Sequence, residues 1–468
     1  MIALSLAEIA AVVGGQTHDI PDRSVQVTAP VVRDSREVVP GSLFVAFVGE
    51  HVDGHDYAAQ VVEAGAVAVL ASRPVGVPAI VVDDVQRALG ALARHVVQRL
   101  GATLVALTGS AGKTSTKDLI AQVLSRAAPT VFTPGSFNNE IGLPLTALSA
   151  TEETRFLILE MGARGIGHIR YLTELTPPKV GLVLNVGTAH IGEFGGREQI
   201  ALAKGELVEA LPADGTAILN ADDPLVRAMA SRTRAKVLLF GESAEADVRA
   251  ENVRLTDTGQ PAFRLHTPSG ASDVTMRLYG EHHVSNALAA AAVAHELGMS
   301  VPEIATALSE AGSLSRWRME VTERPDGVTI VNDAYNANPE SMRAALRALA
   351  AMGRGRRTWA VLGKMAELGD EALAEHDAVG RLAVRLNVGK LVAVGGQEAS
   401  WLQLGAYNEG SWGEESVHVS DAQAAIDLLR SELRPGDVVL VKASRSVGLE
   451  SVAQALVGAA SEGEVAAR

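Results

Sequence analysis

Residues Thr108-Gly109-Ser110-Ala111-Gly112-Lys113-Thr114-Ser115 combine the groups needed to hold a nucleotide phosphate. Glycine lets successive backbone N–H groups turn inward around an anion, and a helix that starts there adds positive potential. Lys113 would reach the β- and γ-phosphates, and the Thr114 hydroxyl would bind magnesium. Gly109, Ser110, Ala111, Gly112 and Ser115 complete the cradle. The general GxxxxGK[ST] pattern asks for glycine at position 107, where this chain has Leu107, so the loop is the shorter GxxGKT form. An ordinary glycine-rich turn is the competing reading. The apolar run 103–107 before the loop and the helical stretch toward Arg126 after it favour the nucleotide.

Ligands in an open parallel sheet gather beyond the carboxyl ends of the strands. The apolar run 156–160 ends in Glu160, and the run 180–186 leads to His190. If both strands neighbour the loop strand, a carboxylate and a neutral imidazole face the same metal–nucleotide. Taken singly, each is more simply a solvated or structural group. Asn138 and Asn139 lie in the loop "GSFNNEIGLP", where they could orient a substrate or form a hydrogen-bonded turn. Two later clusters resemble a base-and-ribose site. One spans 280–286 and includes Asn286; the other spans 332–339 and includes Asp333, Tyr335, Asn336 and Asn338. Helix capping by Ser285 and by Asn338 ahead of Pro339 is expected as well.

These residues need strands that end together, and the patterning supplies them. Residues 1–100 mix short strands (42–47, 66–72) with a helix at 54–65. Residues 101–315 alternate strand and helix in the manner of a parallel α/β sheet, with strands at 103–107, 156–160, 180–185 and 216–219. An alanine-rich helix from 285 stops at Gly298. Residues 316–468 repeat an α/β pattern with strands at 328–331, 358–362, 391–394 and 438–441, and Asp421 is placed to cap a helix. The last residues, "SEGEVAAR", are expected to fray. A chain of 468 residues suits about three domains. With 47% apolar and 21% charged residues, it is patterned as a globular protein. A formal charge of −14 argues against a nucleic-acid partner. No cysteine is present, which removes disulfides and thiolate chemistry and suits a reducing cytoplasm. "MIALSLAEIAAVVGG" lacks a basic leader and carries Glu8, so it reads as a first helix rather than a signal peptide. No apolar run is long enough to insert in a membrane.

Taken in order along the chain, the motifs resemble the Mur ligase family, in its MurF type. The resemblance runs from Asp34-Ser35-Arg36 and "PGSLFVAFVGEHVDGHDY" through "TGSAGKTS", "FNNEIGLP", "LEMGARGIGHI" and "NVGTAHIGEFGG". It continues through "ALAKGE", "LNADDP", "GEHHVSNALAA", "NDAYNANPESM" and "LGKMAELG" to "VKASRS". It implies three α/β domains: a small UDP-sugar domain at 1–100, a central P-loop ATP-binding sheet at 101–315, and a Rossmann-like C-terminal domain at 316–468. It also implies ATP-dependent ligation of D-alanyl-D-alanine to UDP-N-acetylmuramoyl-tripeptide by a monomer, giving a cell-wall precursor. By similarity, Lys113 and Thr114 handle phosphates and one magnesium ion. Glu160, His190 and a carbamylated Lys204 hold magnesium, two ions in all. Asn286 contacts adenine, Asp333 the ribose, and Arg318 and Asn336 the nucleotide. Ser35 and Arg36 lie near the uridine sugar, while Lys442, Ser444 and Arg445 lie near the dipeptide. The chain departs from the family at His283, where asparagine is frequent, and at Arg316-Trp317, where glycine is.

Such a reaction needs a carboxylate activated as an acyl phosphate and shielded from water, which implies domains that close about linkers near 100 and 315. Other ligases of the superfamily, which add a single amino acid or glutamate, stay open as readings. So do an NTP switch, a small-molecule kinase and a scaffold that only binds UDP-sugar.

Overall fold

The computed structural model describes residues 1–187 and 194–466. Helix Leu6–Val13 opens the chain, capped by Ser5 and Glu8 in a reciprocal box and ended by Gly14 at φ +64°. A five-stranded sheet follows, with strands β1 (Gln16–His18), β2 (Val31–Val32), β3 (Leu43–Val45), β4 (Ala68–Ala71) and β5 (Ala79–Val81). Their order is β1-β5-β4-β3-β2, parallel except for β1. Helix α1 (Val85–Arg99) leads out of it.

The central sheet has nine strands: β6 (Thr103–Thr108), β7 (Thr130–Phe132), β8 (Phe156–Glu160), β9 (Val180–Val183), β10 (Thr216–Asn220), β11 (Lys236–Gly241), β12 (Val248–Leu255), β13 (Pro261–Thr267) and β14 (Gly270–Thr275). The order β14-β13-β12-β11-β10-β9-β6-β8-β7 puts the loop strand β6 between β8 and β9. Strands β6 and β8 to β10 are buried along almost their whole length, as expected of parallel strands covered on both faces. Helices α2 (Lys113–Leu124), α3 (Gly142–Leu148), α4 (His168–Leu175), α5 (Arg197–Glu209) and α6 (His283–Glu296) cover it. In α6 every residue from Ala287 to Ala294 is buried, and their small side chains let the helix lie close to α2. The run β12 to β14 is an antiparallel meander added to the parallel core. Patterning for a parallel sheet does not foresee it.

The C-terminal sheet contains β15 (Glu320–Glu323), β16 (Thr329–Asn332), β17 (Thr358–Leu362), β18 (Lys390–Val394), β19 (Ser416–Val419) and β20 (Val438–Lys442). Its order is β15-β16-β20-β17-β18-β19, with only β15 antiparallel. Helix α7 (Pro339–Met352) starts at the Asn338 cap, and the expected Asp421 cap forms on Ala422–Glu432. The last helix, α8 (Glu450–Ala466), continues through residues expected to fray.

Apolar packing divides the molecule differently from the sheets. One cluster runs without a break from the first sheet into the central one, joining Leu89, Leu92 and Val96 of α1 to Leu143, Leu148, Ile169 and Leu172. Gly90 lies so close to Leu175 that an added Cβ would stand 2.9 Å from its side chain. The C-terminal sheet fills two further clusters, to one of which the central side adds the partly buried Tyr279. The linker near residue 100 is therefore packed shut, contrary to its expected role as a hinge, because motion there would expose a shared core. Among the described residues, no helix is long and apolar enough to cross a membrane.

Candidate active site

The register of the central sheet decides what meets the loop. Glu160 pairs with Leu107 across β8 and β6, and Val183 pairs with Thr108 across β9 and β6. The loop between β6 and α2 is thus flanked by Glu160 on one side and Asn185 on the other. Asn185 holds the loop in shape. Its Oδ1 accepts from the N–H groups of Ser110 at 3.0 Å and Ala111 at 2.9 Å, and its Nδ2 donates to the Ala111 carbonyl at 3.1 Å. The Ser110 hydroxyl accepts from the Gly187 N–H at 2.9 Å. Gly112 turns into α2 at φ +80°, where a Cβ would stand 2.7 Å from Asn286 Oδ1. Glycine is required there for both reasons.

The charged groups follow. Lys113 donates to the Gly109 carbonyl at 2.7 Å, and burial lowers its pKa against the pull of Glu160. Glu160 is buried. Its Oε1 accepts from Asn138 Nδ2 at 2.7 Å, and its Oε2 has no hydrogen-bond partner among the described residues. A buried, unsatisfied carboxylate oxygen on a cavity wall that Thr114 also lines fits a hard divalent cation. Lys204, on α5, is also buried, and burial together with the charge of Lys113 takes its pKa well below the ordinary lysine value. Arg318 crosses from the C-terminal side, donating to Thr114 Oγ1 at 3.2 Å with its guanidinium 4.3 Å above the Tyr335 ring.

The two clusters expected to form a nucleoside site face this loop. Asn286 Oδ1 accepts from the Thr116 hydroxyl at 3.1 Å, and its amide nitrogen lies 3.4 Å from His283 Nδ1. His282, packed 4.3 Å from the His283 ring, has its pKa lowered to about 4 by burial. Ser285 does not cap this helix. Gly280 at φ +100° starts the turn earlier, so α6 begins at His283. Asp333 pairs with Lys442 at 2.7 Å and accepts from the Met319 N–H at 3.1 Å. Lys442 also donates to the Asn336 carbonyl at 2.8 Å. Tyr335 and Ser136 share a hydroxyl contact, and Asn338 reaches toward the Ser110 carbonyl at 3.5 Å.

A cavity of about 810 Å³ joins these groups. The whole of loop 109–115 lines it, as do Glu160 and Lys204. Asn138, Asn139 and Asn286 are on its wall, and so are Arg318, Asp333, Tyr335, Asn336, Asn338 and Lys442. Asn139 is partly committed, because its Oδ1 accepts from Gly142 N–H at 2.9 Å and so starts α3. Four of the expected residues stand apart. Ser35 and Arg36 do not reach the cavity, and Arg36 turns back onto Asp34, whose carboxyl it holds down at about 2. Ser444 is spent on the Ala366 N–H at 2.9 Å, and Arg445 lies 4.4 Å over the Trp317 ring. His190 lies outside the described residues, among which no group of three His, Asp or Glu side chains is placed for a metal. Sequence reasoning missed Asn185 and Arg33, both on the cavity wall. An asparagine ending an apolar strand, and the arginine just before Asp34-Ser35-Arg36, are the signals that could have found them.

Known proteins resemble this chain in sequence and fold. The description "Mur ligase middle domain" matches residues 107–294, "Mur ligase, glutamate ligase domain" matches 317–445, and "Mur ligase family, catalytic domain" matches 31–97. The UDP-N-acetylmuramoyl-tripeptide–D-alanyl-D-alanine ligase of Mycobacterium tuberculosis is 51% identical over 98% of both chains. Its Escherichia coli counterpart is 37% identical over 97% of this chain and 99% of that one. A crystal structure of MurF from Acinetobacter baumannii superposes with a TM-score of 0.86 at 32% identity, covering 97% of this chain and 99% of the other. The MurF ligase of Thermotoga maritima in complex with ADP gives 0.80 at 30% identity, covering 93% and 99%. Full-length identity at this level, on the same three-part architecture, means that the chain belongs to the Mur ligase family and, within it, to the MurF type.

Proposed function

We propose that the chain joins D-alanyl-D-alanine to UDP-N-acetylmuramoyl-tripeptide at the expense of ATP, giving the pentapeptide precursor of peptidoglycan. What carries the reading is one cavity, walled by all three sheets' elements, in which a GxxGKT loop meets a buried carboxylate with an unsatisfied oxygen. Residues 1–100 receive the UDP-muramoyl end, 101–315 the ATP, and 316–468 the dipeptide. A single chain builds the cavity, so a monomer suffices. We place the reaction in the cytoplasm, whose ATP and reducing conditions suit a cysteine-free ligase.

A carboxylate is a poor electrophile. The γ-phosphoryl group of ATP passes to the terminal carboxylate of the tripeptide, ADP leaves, and an acyl phosphate forms. The dipeptide amine then adds to the acyl carbon, loses a proton, and expels phosphate as the amide forms. Lys113 and Arg318 neutralise phosphate charge and hold the γ-group in line. Asn185 fixes the shape of the loop by accepting from the Ser110 and Ala111 N–H groups, and Asn286 and Asp333 seat the adenosine. Magnesium held by Thr114, Glu160, His190 and Lys204 would supply further charge neutralisation. Lys204 suits that role as a carbamate. Burial favours its neutral amine, which adds to carbon dioxide with loss of a proton and becomes an anionic oxygen ligand. Closure of the cavity over bound substrates would exclude water from the acyl phosphate.

Mass detection of the UDP-muramoyl-pentapeptide from purified protein, ATP, magnesium and both substrates tests the assignment. Product formed only with a free diamino acid or glutamate in place of the dipeptide would move the chain to another branch of the family.

A further inference from the structure

Arg318 is flanked by two residues in a backbone conformation that side chains disfavour: Trp317 at φ +60° and Met319 at φ +49°. The segment containing them is tied at both ends. On the central side, Gln122 of α2 exchanges hydrogen bonds with both backbone groups of Gly312 at 3.0 Å, and Asp118 accepts from the Ser315 N–H at 3.2 Å. On the C-terminal side, Met319 is buried and its N–H donates to Asp333, while the Trp317 carbonyl accepts from the Tyr335 N–H at 3.2 Å. The Trp317 N–H donates to Glu320 at 3.1 Å, and its ring lies under the Arg445 guanidinium at 4.4 Å. Arg445 is in turn held by Glu450.

A side chain in the left-handed region persists only where its surroundings hold it. We infer that Trp317 is a positioning residue for the phosphate site: its stack on Arg445 offsets the left-handed strain and so aims Arg318 at Thr114. Lost stacking would let the 317 backbone relax toward negative φ, swinging the next side chain away from the loop. Three substitutions separate the components. Trp317→Ala keeps the strain and removes the ring. Trp317→Gly removes both, because glycine adopts this φ freely. Trp317→Phe keeps an aromatic face for the guanidinium.

The inference rests on the nucleotide reading of loop 109–115, so wild-type protein is titrated with ADP by calorimetry first. Failure of wild type to bind ADP would remove that reading and this inference with it. With binding established, Trp317→Ala is expected to weaken ADP and raise the KM for ATP about tenfold. The KM for the dipeptide and the melting temperature should stay put. The Gly and Phe variants should recover most of the affinity. An Ala variant that binds like wild type, or a Gly variant as weak as Ala, overturns the role given to Trp317 and leaves the nucleotide site standing.

Discussion

Lys113 and Lys204 bring two amines into one buried site, an arrangement unfavourable if both are charged. Conversion of Lys204 to a carbamate replaces like charge with an ion pair. Because its pKa is lowered, the amine is neutral over a range where an ordinary lysine is protonated, and falling pH withdraws it from reaction with carbon dioxide. Activity in carbonate-free buffer should therefore fall on mild acidification and return with added bicarbonate, while Lys204→Arg should stay inactive in both. Turnover indifferent to bicarbonate would exclude the carbamate. His282 gives a stability counterpart. Its pKa drops from 6.5 to about 4, so between those values the unfolded chain binds more protons than the folded one. Stability should fall as pH falls through that window, by about 3 kcal/mol in all, and be fully lost to this group below it. Urea melts of His282→Gln should show a shallower pH slope there; parallel slopes would refute the assignment. Residues that act within one short motif, such as Lys113 and Thr114, are legible from sequence because the loop's geometry is local. Ser444 and Arg445 are not, because their partners Ala366 and Trp317 are far away along the chain.

Elements whose two faces are both buried announce themselves as unbroken apolar runs, which is why β8 and β17 were legible to the residue from sequence. The meander β12 to β14 was not. Its first strand, "VRAENVRL", is only partly buried and has a register shift between Glu251 and Arg254, so neither an apolar run nor a clean alternation survives. The start of α6 was misplaced for a similar reason: Ser285 looks like a cap, but the turn at Gly280 decides where the helix begins. At the junction of β6 and α2, Gly112 carries the element-scale constraint. Gly112→Ala would place a Cβ 2.7 Å from Asn286 Oδ1 and adopt a disfavoured φ costing about 1–2 kcal/mol. Since Asn286 and Thr116 lock α6 to α2 at this point, ADP affinity should fall by at least about tenfold while binding of the UDP-linked precursor changes little. Equal losses for both ligands would mean that the substitution disturbs the fold rather than the loop.

At the scale of the whole molecule, the seam that opens most easily is the C-terminal one. The first and central sheets share a continuous apolar cluster through α1, whereas the C-terminal sheet has its own core, to which the central side adds the partly buried Tyr279, and meets the loop through polar contacts of Arg318, Tyr335 and Asn338. Polar contacts exchange with water at little cost, but parting a shared core exposes apolar surface at about 25 cal/mol per Å². Substrate entry should therefore move the C-terminal sheet about residues 312–319 and leave the other two sheets fixed. The absence of cysteine makes this directly measurable, because introduced thiols are the only ones present. Spin labels at Gln60→Cys and Glu153→Cys, both exposed, report on the first and central sheets. Labels at Glu153→Cys and Ser431→Cys report on the central and C-terminal sheets. Adding ATP analogue and UDP-linked tripeptide should shift or narrow the second distance distribution and leave the first unchanged. A shift confined to the first pair would place the hinge at residue 100 and contradict the shared core.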